Sequence, residues 1–125
     1  MTETEFLALE PREQDALVAE KVMGWTAKRL GKEPWPDGSY CDGITNSSCT
    51  EFWFTEEIAP AWQVVEKMRE EGHTFVLHHS DILFARFFLT SDGGIVRKDR
   101  DYWGEADTAP LAICLAALRA KGVIE

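Results

Sequence analysis

Apolar residues recur at helical spacing in three segments of the chain and bunch into short, strand-like runs between the second and third. The first helix is expected to begin near Pro11, a residue suited to an opening turn, and to run through REQDALVAEKVMGW. Leu17, Val18, Val22 and Trp25 fall at its apolar spacing; the helix ends at Gly24 or continues to Gly31. The second has Thr55 as its expected N-cap, with Glu56 and Glu57 where acids suit the helix dipole. Its stripe is Ile58, Ala61, Trp62, Val65 and Met68, and Gly72 closes it, although Pro60 sits late enough to place the start nearer Ala59. The third, TAPLAICLAALRAKG, reads Thr108 as N-cap, Pro110 in the first turn and Gly122 as terminator. It is apolar nearly all round, which predicts a helix that is buried or that covers an interface.

The runs TFVLHH (74–79) and DILFARFFLT (81–90) read as strands, SDGG (91–94) as a turn, and IVR as a further short strand. EPWPDGSYCDG is a punctuated loop, and CTEFWF can form a strand ahead of the second helix. The resulting order predicts a small α+β domain: an antiparallel sheet of about 3–5 strands carrying three helices on its faces. Its 125 residues suffice for a single domain, 1–125, with its own core.

Charge narrows the partners. A formal net charge of −9 opposes broad binding to duplex nucleic acid, which needs a concentrated basic surface. Two basic islands stand out nevertheless: Lys21, Lys28, Arg29 and Lys32 without an intervening acid, and RKDR at 97–100. They are either solvated turn charges or the binding groups for a small anion. No run approaches the length of a membrane span, and the acidic opening MTETEFLALEPREQD lacks the pattern of a signal peptide, so a cytoplasmic protein without membrane contact is expected. Three cysteines, Cys41, Cys49 and Cys114, do not suggest a disulfide framework; Cys114 fits a core position.

Candidate chemistry is sparse. Cys41 and Cys49 are too far apart for a structural zinc knuckle, and His78 and His79, adjacent on a strand, point to opposite faces. No metal site, cofactor site or catalytic residue is therefore assigned. Arg86 is the more informative residue. On a regular strand Ile82, Phe84, Arg86 and Phe88 share one face while Leu83, Ala85 and Phe87 share the other. Among aromatics a guanidinium needs an acid on a neighbouring element or a bound phosphate or base. Of the tryptophans, Trp62 reads as core; Trp25, Trp35 and Trp103 lie at element ends or in loops, where they can stack on a ligand, cap the core or fill a subunit contact.

Three stretches carry a family likeness: DALVAEKVMGW (15–25), EIAPAWQVVEKM (57–68) and ADTAPLAICLAALRA (106–120). In this order, with the β region between, the chain resembles the phage ABA sandwich family of small bacteriophage and prophage proteins. Its lead into the second helix, CTEFWFT, departs from the family. The resemblance implies a compact α/β sandwich, phage origin and the cytoplasm of an infected bacterium, and it carries over no catalytic residues. More distantly, the chain is similar to phage anti-defence sponge proteins, which implies a non-enzymatic homo-oligomer sequestering cyclic ADP-ribose or a cyclic oligonucleotide. On that reading Trp25 or Trp103 stacks on a base, Arg29, Arg86, Arg97 and Arg100 neutralise phosphates, and the third helix buries a dimer face. The alternatives are an acidic module that binds and inhibits a host protein, and a small hydrolase using His78 or His79 as base.

Overall fold

The structure, a computed structural model, describes residues 1–24 and 53–125, and of residues 25–52 the backbone of four two-residue strands. The elements are α1 (Glu3–Leu7), α2 (Pro11–Lys21), β1 (Thr26–Ala27), β2 (Arg29–Leu30), β3 (Glu33–Pro34), β4 (Tyr40–Cys41), α3 (Ile58–Glu70), β5 (Thr74–His79), β6 (Leu83–Thr90), β7 (Val96–Glu105) and α4 (Ala109–Ala120). β5, β6 and β7 form an antiparallel sheet in that order; β1 pairs with β4 and β2 with β3. This is an α+β fold, with four helices among the described residues where the apolar pattern predicts three. The extra helix, α1, is too short to show a period; the Thr2 side chain caps it by accepting from the Glu5 N–H, and Phe6 anchors it in the core.

α4 is the centre of the packing. It lies across β6 and β7 and against α3, and every residue from Ala112 to Leu118 is buried. The expected dimer face on this helix is therefore occupied within the fold, which explains its apolar circumference without a second subunit. Thr108 and Gly122, at φ +74°, bound α4 as expected. Where β7 crosses α4 there is no room for a side chain. A Cβ on Gly104 would stand 2.3 Å from the Ala112 carbonyl oxygen and 2.5 Å from the Ala116 nitrogen.

Two expectations for α3 are corrected. Its N-cap is Glu57, not Thr55. Thr55 is buried and both its N–H and hydroxyl donate to the Asp15 carboxylate of α2, at 3.0 and 2.8 Å. Trp62 is 46 % exposed, not core; it meets Phe75 edge-on at 5.9 Å, while Ala61, Val64, Val65 and Met68 carry the buried stripe. The end of CTEFWF that is described turns rather than extends, with Phe54 fully buried; residues 49–52 lie outside the described residues.

Candidate binding face

β6 divides its side chains as strand alternation requires. Ala85 and Phe87 point to the helices and are fully buried. Phe84, Arg86 and Phe88 point the other way, away from α4, which packs on β6 and β7. The register sets three rows across the strands: His78, Phe84 and Glu105; Val76, Arg86 and Trp103; Thr74, Phe88 and Asp101. The rings lock together within this grid. His78 stacks on Phe84 at 4.9 Å and 19°, and Phe84 meets Trp103 at 4.7 Å. The Arg86 guanidinium lies over Phe88 at 4.5 Å and over Trp103 at 4.8 Å.

Arg86 also has its acid. Nε donates to Asp101 Oδ1 at 2.7 Å and Nη2 to Oδ2 at 2.9 Å, a two-bond fork between half-buried side chains. The hydrogen bonds to Arg86 hold the Asp101 carboxyl below its ordinary range, with a smaller contribution from Trp103, and the same pair raises Arg86. The arginine and Trp103 are thus brought together on one face. Trp103 remains 44 % and Val76 38 % exposed.

The two ends of the face differ in charge. Past Phe88 the register slips. Phe88 faces Asp101 and Thr90 faces Val96, so Leu89 stands opposite residues 97–100. Arg97, Lys98 and Arg100 are exposed in this bulge. Arg97 donates to Asp99 at 3.0 Å between two exposed side chains. From Asp101 toward the other end, a cleft along β7 is lined by Asp101, Trp103, Glu105 and Asp107, with Asp81 and Glu3. Its one cation, Arg119, is already engaged. It donates to the Trp103 carbonyl at 2.6 Å and the Glu125 carbonyl at 3.2 Å, and pairs with Glu3 at 3.3 Å.

Of the expected site residues, Arg86, Arg97, Arg100 and Trp103 lie on β6 and β7. Arg29 is in β2 opposite Pro34, with its side chain outside the described residues, and Trp25 is outside them altogether. Asp101, Phe84, Phe88 and His78 complete the face and were not singled out as ligand-binding by the sequence. Among the described residues no group of three or more His, Cys, Asp or Glu side chains could hold a metal ion. His78 bonds Ser80 at 2.8 Å. Cys114 donates to the Phe54 carbonyl at 3.2 Å, and burial pushes its thiol well above the usual value, so it is no nucleophile. No described helix is long and apolar enough to cross a membrane.

The model of the phage ABA sandwich domain matches residues 16–118. A solved phage protein from Bacillus cereus ATCC 14579, known at 2.0 Å, is similar in fold: TM-score 0.69, 23% identity, covering 94% of this chain and 93% of that one. Among curated proteins there is no match.

Proposed function

The chain belongs to the phage ABA sandwich domain family, and from that premise we propose that it is a phage-encoded, non-enzymatic protein that captures a small nucleotide-type anion. Its ligand is a cyclic ADP-ribose or cyclic oligonucleotide signal of the infected bacterium, met in the host cytoplasm. The observation that carries this reading is Trp103: a large ring left 44 % exposed on the sheet face turned away from α4, yet fixed in place by Phe84 and Arg86. A base stacking on a ring already immobilised loses little further entropy. Asp101 occupies the guanidinium of Arg86, so Arg86 acts as the support of the ring rather than as the phosphate clamp. Phosphates fall to Arg97 and Arg100, the latter about 10 Å from Trp103 along the strand. The Arg97–Asp99 pair is solvated and costs little to exchange for a phosphate.

The test is thermal. A cyclic nucleotide at ~100 times its dissociation constant stabilises by about 2.7 kcal/mol, which raises the melting temperature by roughly 10 °C in a chain of this size. The ligand released on heating should be chemically intact, and Trp103→Ala should lose the shift. No shift with any cyclic ADP-ribose isomer or cyclic di- or trinucleotide would sink this reading, and recovery of an altered ligand would make the protein an enzyme. A second reading, a module that binds a basic host protein, is favoured by Asp81, Glu105 and Asp107 in the β7 cleft, beyond the two acids there that Arg86 and Arg119 already hold. It takes precedence if nucleotides leave the melting temperature unmoved.

A further inference from the structure

The open face has a feature that ligand capture does not require: its charges are sorted along the strands. Glu105 stands opposite Phe84 at the start of β6, with Asp81 just before that strand. The bulge Arg97, Lys98, Asp99 and Arg100, still net cationic with Arg97 paired to Asp99, follows Phe88. Phe84 and Phe88 are four residues apart, so these ends are separated by about 13 Å. Between them lie Val76, Phe84, Phe88 and Trp103, with Arg86 and Asp101 neutralising each other. A surface that is acidic at one end, basic at the other and apolar between is complementary to itself. A two-fold axis in the plane of contact and across the strands sets each end against its opposite.

We infer that this face pairs with the same face of a second copy of the chain, the bulge at 97–100 of each lying against Asp81 and Glu105 of the other. This goes beyond the functional reading and needs no ligand; it would close a half-open platform into a site shared by two Trp103 rings. The face measures about 26 Å along β6 and about 15 Å across three strands, which is small for a specific interface. The dimer is therefore concentration-dependent. The overall charge of −9 opposes association, but repulsion at a distance is screened within about 8 Å at physiological salt, whereas the paired ends meet in contact.

Charge exchange tests this directly. Sedimentation equilibrium of the ligand-free protein should give a monomer–dimer equilibrium. The variants Arg97→Glu/Arg100→Glu and Asp81→Lys/Glu105→Lys alter exposed side chains, should melt like the wild-type monomer, and should each weaken the dimer at least tenfold. Mixed in equal amounts, they should form a heterodimer again, since each reversed end then meets a reversed partner. Raising sodium chloride from 50 to 500 mM should weaken the wild-type dimer several-fold. A wild-type monomer at all concentrations, a trimer or larger ring, a dimer indifferent to both variants, no recovery on mixing two folded variants, or tightening by salt would each overturn the inference. A variant that does not fold is replaced by its Arg→Gln or Asp/Glu→Gln counterpart, for which the same weakening, by a smaller factor, is expected and its absence overturns. Nucleotide shifts measured on the same samples separate the two ideas. A dimer without a nucleotide shift leaves this inference standing and removes the sponge; a nucleotide shift in a strict monomer does the reverse.

Discussion

The two sides of the β5–β7 sheet are built from alternate residues of the same strands, yet they answer to different constraints. On the helix side Ala85, Phe87 and Gly104 are buried, and Gly104 meets the α4 backbone at atomic contact. On the open side Phe84, Arg86, Phe88 and Trp103 are just as closely associated with one another but only half-covered. One side holds the fold and has no chemistry to offer. The other holds its own geometry and leaves area over for something else. If that division is sound, substitutions on opposite sides of one strand should differ by about 2–3 kcal/mol.

The largest effect is expected on the helix side. Phe87→Ala should cost about 4 kcal/mol, the range for a fully buried phenylalanine. Gly104→Ala should cost about 3 kcal/mol, because the atoms the new methyl meets are the α4 backbone at Ala112 and Ala116, which cannot move aside as a side chain can. Phe84→Ala and Trp103→Ala on the open side should cost about 1 kcal/mol each, since most of their area stays in contact with solvent or with each other. Urea midpoints of the four variants decide the matter; equal losses on both sides would mean that the open face is a structural core in disguise.

That division also explains which parts of the molecule could be read beforehand. β5 coincides with TFVLHH because an uncharged apolar run bounded by Gly72 and Ser80 has no other reading. β7 was expected only as a short IVR strand. Its ten residues carry six charged side chains that look like loop, and they are tolerated because β7 is an edge strand. Arg86 announced itself as a cation among aromatics, but its partner Asp101 sits 15 residues away behind a bulge that shifts the register. No period in the sequence encodes that offset. The same holds for Thr55, whose cap-like context was overruled by Asp15, 40 residues earlier.

Asp101 and Asp15 carry the same contrast into pH dependence. On the open side Arg86 lowers Asp101. A carboxylate whose folded pKa lies below its unfolded value adds stability above the unfolded value, near 3.8, and loses it as pH falls through the lower folded one. Asp101→Asn should therefore cost about 1–2 kcal/mol at neutral pH, and its deficit against the wild type should shrink in acid below pH 3.8. A deficit that stays constant from neutrality to strong acid would show that the fork contributes only packing.

Asp15 should behave in the opposite sense and more weakly. It is buried with Thr55, just ahead of α3, as its donor, and burial raises its pKa from 3.8 more than those hydrogen bonds and Arg12 lower it. A group raised on folding stabilises fully below its unfolded pKa, and that contribution is lost as pH climbs through the folded one. Asn at this position still presents an oxygen to the Thr55 N–H and hydroxyl but has no charge to desolvate. Asp15→Asn should thus lie within about 1 kcal/mol of the wild type at neutral pH, the lost strength of the charged hydrogen bonds being offset by the charge no longer buried. Relative to the wild type it should do worse as pH falls toward 3.8, because the folded carboxyl, raised above that value, regains its proton first, and the gap should be complete below it. Chemical denaturation of the two proteins between pH 2.5 and pH 7, a range set to span the ordinary carboxylate pKa, reads that sign. If the gap instead narrows in acid, Asp15 is a stabilising anion like Asp101, and the inner side of the fold is less dry than its packing implies.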